Sequence, residues 1–211
     1  EINIGDWSSD VCSSDLPLDI AEHVAASSVK QPGRLFDVPV QSLPEQQEER
    51  RRTVPDRCRK AAELVTGTGQ PAVCWVHLNA EGDLLRRLIP DSEQVSGSTP
   101  DARKEELFEG FERGQFRVLV SKPGIAGFGL NWQHCAHQTY FASHSYEQFH
   151  QAVRRCWRFG QTRPVRVDVV TSEGEAGVLA NLRRKERQAE EMFDRLVTLM
   201  ADGLREMSLR D

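Results

Sequence analysis

Residues 145–161 read SYEQFHQAVRRCWRFGQ, and their spacing predicts a helix over 145–158. On that helix Gln151, Arg155 and Arg158 stand at i, i+4 and i+7, on one face. Arginine is permanently charged, and its planar guanidinium grips phosphate oxygens in pairs. Two arginines and an amide on one face suit a polyphosphate whose charge changes during cleavage. Spacing alone leaves a second possibility open, a solvated basic face on an ordinary surface helix.

Residues 118–135 read VLVSKPGIAGFGLNWQHC. Glycines 124, 127 and 129 follow directly after an apolar run, where backbone without side chains can approach a phosphate closely. Any sharp strand-to-helix turn could show the same glycines. Val95-Ser96-Gly97-Ser98-Thr99 precedes Pro100 and Arg103, and such a turn offers hydroxyls and helix-end amides to a phosphate. A plain helix cap by Ser98 or Thr99 would look identical. His134, Cys135 and His137 cluster where a strand is about to start, so core positions are expected there and no metal site. Trp132, Trp157 and Phe159 could stack bases, but core packing against a sheet is the expectation. Residues 183–187 (RRKER) read as a solvated helix face interleaved with glutamates.

These residues need a frame. A helix is predicted over about 56–66, with Gly67 and Gly69 to stop it. Strand 72–78, helix 80–88, strand 93–96, helix 101–113, strand 116–121, strand 138–142, helix 145–158 and strand 165–171 follow in turn. A charged helical tail runs from 175 to about 207. Strands alternating with helices of about a dozen residues imply an α/β domain, a parallel sheet with helices on both faces. Residues 17–55 are broken by Pro32-Gly33, Pro44 and a charged run, so an irregular linker is expected there.

The chain has 211 residues, 28% of them charged, and a net charge of −5. No run of eighteen apolar residues is present, so no membrane span is expected. Residues 1–16 resemble a translated sequencing-library adapter and are expected to be foreign to the fold. They carry Glu1, Asp6, Asp10 and Asp15 and no base, so the remainder is close to neutral. Beyond them stand four cysteines, Cys58, Cys74, Cys135 and Cys156, without C-x-x-C spacing. Scattered thiols of this kind fit a reducing cytoplasm rather than a zinc site.

Gln151-Ala152-x-x-Arg155-x-x-Arg158-x-Gly160-Gln161 resembles motif six of superfamily-two helicases in the Swi/Snf-like form. Gly127-Phe128-Gly129-Leu130-Asn131 resembles motif five of the same family, and Pro123-Gly124 before it is similar to a phage and bacterial branch. Val73 to Leu78 with Asn79 resembles motif four, and the Gly-Ser-Thr turn at 97–99 matches another family feature. Four motifs in order span residues 72–172. The resemblance implies a RecA-like α/β lobe over 56–174, with a helical extension over 175–211. Within it, Arg158 would be an arginine finger for ATP, supported by Arg155 and Gln151. Gly127, Gly129 and Asn131 would couple nucleotide state to a DNA track. Ser98, Thr99 and Lys122 would contact nucleic-acid phosphates.

No G-x-x-x-x-G-K-[ST] loop and no strand-borne Asp-Glu pair for Mg2+ are found. In the resembled family both belong to the first RecA-like lobe. The resemblance therefore implies a second lobe whose partners are DNA, most readily double-stranded, and a missing N-terminal lobe carrying most of the ATP–Mg2+ site. Such a lobe would be inactive as an ATPase alone, and would work in the cytoplasm of a bacterium or of a phage's host. Two other classes fit the same motifs: a non-catalytic nucleic-acid-binding or adaptor module, and a helicase-like subunit of a restriction-modification system.

Overall fold

Ala72–Trp75 (β2), Val118–Ser121 (β4) and Val165–Ser172 (β6) are rich in β-branched and apolar residues, as strands buried on both faces must be. They form a sheet with Leu18–Ala25 (β1), Ser92–Val95 (β3) and His137–Phe141 (β5). The computed structural model describes residues 17–28, 42–125 and 130–208; residues 1–16 lie outside the described residues. The sheet order is β1-β6-β5-β2-β4-β3, and every pairing is parallel.

Alternation along the strands sends side chains to two cores. Val73, Trp75, Leu119, Val167 and Val169 face one side, and Cys74, Val118, Val120, Phe141 and Val170 the other. On the second side lie Val54–Thr68 (α2) and Asn79–Leu88 (α3), contributing Cys58, Ala61, Val65 and Leu85. On the first side lie Asp101–Glu112 (α4), Tyr146–Val153 (α5) and the start of Ala176–Ser208 (α6), with Phe108, Phe111, Phe149, Val178 and Leu182. Gly69, in the left-handed region at φ 63°, ends α2. No helix among the described residues is long and apolar enough to cross a membrane.

The irregular linker expected over 17–55 is corrected in two places. Strand β1 pairs along its whole length with β6, from Leu18 opposite Val165 to Ala25 opposite Ser172. His23 Nε2 adds a 2.8 Å bond to Asp168 Oδ1. The second correction is Leu43–Arg52 (α1), which opens with a capping box between Ser42 and Glu45 and with Pro44 in its first turn. Its inward face is charged. Arg50 Nε donates to Glu175 Oε1 at 3.1 Å, and Arg50 Nη2 to the carbonyl of Ala142 at 2.9 Å.

Beneath α1, the fully buried Arg57 of α2 places Nη1 2.8 Å from Glu81 Oε1 and Nε 3.5 Å from Glu175 Oε2. Glu81 Oε2 in turn accepts the N–H groups of His77 and Leu78, both at 2.9 Å. That carboxylate turns the chain from β2 into α3, so the strand expected over 72–78 stops at Trp75.

Candidate nucleotide and nucleic-acid site

Helix α5 starts from Ser145, whose hydroxyl accepts the Gln148 N–H at 3.3 Å. It stops at Val153, earlier than the helix expected over 145–158, so Gln151, Arg155 and Arg158 do not share one continuous helix face. Tight turns follow instead, in which the Arg155 N–H reaches the Ala152 carbonyl at 3.2 Å and the Cys156 N–H reaches Val153 at 3.2 Å. The cause is tertiary. The Arg155 carbonyl is taken by the N–H of Trp132 at 2.9 Å, so it is no longer left to the helix ladder.

Gln161 fixes the far side of this turn. Its buried Nε2 donates to the carbonyls of Cys135 and Cys156, each at 3.1 Å. Its Oε1 accepts the N–H groups of Thr162 at 2.9 Å and Arg163 at 3.1 Å. Gly160, at φ 88°, supplies the left-handed residue just before it, and a Cβ there would stand 2.7 Å from Gln133 Nε2. The Gly-Gln pair that marked the family resemblance is thus the anchor of the turn that presents the arginines.

Arg155 is half-buried, and its Nη1 reaches the Leu130 carbonyl at 3.5 Å. Burial and the neighbouring positive charge of Arg158 both push its pKa down. Among the described residues no carboxylate pairs with either guanidinium. An anion beside them would offset the repulsion between the two like charges. Gln151 is tied along its own helix, with Nε2 3.2 Å from Glu147 Oε1. Asn131 is exposed, next to Leu130. Gly127 and Gly129 lie outside the described residues.

A second group gathers where β3 and β4 end side by side, with Val95 opposite Ser121. Lys122 follows Ser121 and is partly exposed. Ser98 and Thr99 are drawn back towards Ser96, whose N–H donates to Thr99 Oγ1 at 3.0 Å and whose hydroxyl lies 2.9 Å from that of Ser98. Neither caps α4: its N-cap is Pro100 and no side-chain capping bond forms, so the cap interpretation of this turn is corrected. Trp132 ties the arginine turn to the core. Its ring is fully buried, stacks on Trp75 at 6.1 Å and meets Phe111 of α4 edge-on at 5.5 Å, while its backbone N–H holds the Arg155 carbonyl.

The other aromatic positions divide. Trp157 packs against the core under the Arg154 guanidinium, 5.2 Å from its ring centre, whereas Phe159 is 75% exposed, so the core expectation fails for Phe159. Cys135 and His137 are buried, and His137 Nε2 donates to Asp168 Oδ2 at 2.7 Å. Among the described residues no three His, Cys, Asp or Glu side chains are grouped to hold a metal ion.

No family model matches the chain, and no curated protein is similar to it in sequence. Its structure is similar to several solved ones. The C-terminal part of the Fun30 ATPase domain matches with a TM-score of 0.53 at 17% identity, over 61% of this chain and 45% of that one. The RNA helicase Prp28 from Chaetomium thermophilum, bound to ADP, matches at 0.58 and 14%, over 82% and 37%. S. cerevisiae Dbp5, bound to RNA and ADP BeF3, matches at 0.58 and 12%, over 82% and 40%. The chain thus spans less than half the length of these three. At such identities the likeness is one of fold: a RecA-like α/β domain, its six-stranded parallel sheet covered by helices.

Proposed function

We propose that the chain is the second RecA-like lobe of an ATP-dependent, Swi/Snf-like DNA helicase or translocase of phage or bacterial type. One observation carries this most directly: Arg155 and Arg158, both partly buried, lie three residues apart in the turn that Gln161 anchors, and no carboxylate among the described residues pairs with either. That arrangement fits the terminal phosphates of a nucleotide, whose negative charge would relieve the repulsion. The likeness to chains solved with ADP and with ADP BeF3 supports the same assignment.

Arg158, which makes no side-chain bond among the described residues, would serve as the arginine finger, with Arg155 as the inner contact. The finger acts on charge that develops in the transition state, where a rigid donor is worth most. Gln151, on the helix that leads into the turn, would support the same phosphates. Asn131, with Gly127 and Gly129, would relay nucleotide state to the nucleic-acid side. There Ser98, Thr99 and Lys122, beside the side-chain-uncapped start of α4, would hold backbone phosphates. Mg2+ would neutralise the phosphates, held mostly by the first lobe.

The test has two arms. The chain alone should release no phosphate from ATP above background, with or without duplex DNA. Robust DNA-stimulated turnover by it would refute the second-lobe assignment. In a two-lobed protein containing it, Arg158→Ala should lower kcat by roughly 10³-fold or more while ATP affinity stays within about tenfold. RNA in place of DNA in the same assay decides the track, because the neighbouring folds include an RNA-bound chain.

A further inference from the structure

Phe159 sits between Arg158 and Gly160 with its side chain 75% exposed. Its neighbour Trp157 is spent on the core, so of two adjacent aromatic rings one packs inward and the other meets solvent. The backbone that carries Phe159 is pinned. Its carbonyl accepts a bond from Gln133 Nε2, Gly160 holds a left-handed φ of 88°, and the Gln161 amide locks the turn through its bonds to Cys135 and Cys156. A large ring with two side-chain torsions on a fixed backbone loses little freedom when a flat partner arrives. Shortly before it in the chain stand Arg155 and Arg158, with no carboxylate among the described residues paired to either.

We propose that Phe159 is a stacking platform for the base of the nucleotide whose phosphates Arg155 and Arg158 hold. The assignment rests on the nucleotide-binding role proposed above. A nucleotide carries a polyanion and a flat π-face on one small molecule, and this turn carries a group suited to each: two guanidiniums and one exposed ring. Stacking is tolerant of base identity, because every base has a π-face. The platform would therefore sense that a base is present without reading which one, and ATP and GTP would benefit alike.

The experiment titrates the chain with ATP and with ribose 5-triphosphate, which keeps sugar and phosphates and lacks the base, following amide shifts by NMR. The wild-type chain should bind ATP roughly fivefold or more tightly than ribose 5-triphosphate. Phe159→Ala should bring ATP down to the level of ribose 5-triphosphate and leave the latter unchanged. Phe159→Leu, apolar but without a π-face, should behave like the alanine variant, and Phe159→Trp should keep the preference. Equal affinities in the wild-type chain would overturn the platform while leaving the arginine assignment standing. A preference for ATP that survives Phe159→Ala would also overturn it and give the ring to a protein surface instead. If neither ligand bound the chain, the platform would be overturned; if Arg155→Ala and Arg158→Ala left ribose 5-triphosphate binding untouched, the nucleotide role itself would fall and the platform with it.

Discussion

Replacing Arg57 with methionine removes the centre of a buried charge network while keeping much of its volume. The guanidinium faces Glu81 at 2.8 Å and Glu175 at 3.5 Å, donates to the Arg50 carbonyl at 2.6 Å and to Thr53 Oγ1 at 3.2 Å, and lies 5.0 Å from the centre of the Phe141 ring. Glu175 survives the loss, because Arg50 and the Ser172 N–H still bond to it. Glu81 does not fare so well. Its Oε2 keeps two backbone N–H groups, but its Oε1 faces only Arg57, in an ion pair without hydrogen-bond geometry.

Stranding one buried charge costs about 3–5 kcal/mol, a large part of a domain stability of about 5–15 kcal/mol. Urea unfolding of the chain, followed by circular dichroism, should show that loss as a fall in midpoint at constant slope. Arg57→Met combined with Glu81→Gln should recover more than half of it, since glutamine can still accept the His77 and Leu78 N–H bonds without carrying charge. A loss below about 1 kcal/mol for Arg57→Met, or a double variant no more stable than the single one, would refute a desolvated pair at this position.

Asp168 gives a pH dependence. Burial alone would raise its pKa, but bonds from His137, His23 and Arg166 outweigh that and bring it from 3.8 to about 2. A depressed carboxylate contributes stability above its unfolded value and loses it as pH falls through the folded one. Unfolding free energy should therefore drop by about 2 kcal/mol between pH 4 and 2, and Asp168→Asn should flatten that interval. Gln161→Ala strips four bonds from the arginine turn and should cost about 2–4 kcal/mol in urea unfolding, with the largest amide shifts at Cys135 and Cys156. In a two-lobed protein Arg158→Lys should restore little turnover, because a point charge on a mobile stem does not reproduce the planar fork. Arg154→Ala should keep most of it, since Arg154 lies over Trp157; equal damage from Arg154→Ala would refute the assignment of roles in this turn.

The strands easiest to find in the sequence, β2, β4 and β6, are buried on both sides and are also built of apolar runs, unlike the equally buried but polar β5. β1 escaped because it is an edge strand: Asp19, Glu22 and His23 interrupt its apolar positions, and Val24 is 58% exposed. Helix α1 escaped for a different reason. Its inward face is Glu49 and Arg50, which count as surface residues until Glu175 and Ser172, far along the chain, are brought against them. At the site, residue types and order were legible but the helix end was not. Periodicity carried the helix on to Arg158, whereas the Trp132 N–H and the Gln161 amide, acting from outside the helix, decide where it stops. The same holds for Thr99, whose hydroxyl binds the Ser96 N–H behind it, so a sequence that suits a cap serves a turn.

The position of β1 also sets a timetable for synthesis. Among the described residues its strand neighbour in the sheet is β6, the last of these six strands to leave the ribosome. β2, β4 and β3 can pair among themselves as they emerge, and β5 joins β2, but β1, the first of the six, must wait for β6. Throughout that wait an eight-residue segment carrying Ile20 and Val24 has no place in the sheet, and closing so long a loop comes late and slowly. Asp19, Glu22 and His23, which hid the strand from pattern reading, keep the waiting segment polar, and nascent-chain solubility is what they would protect.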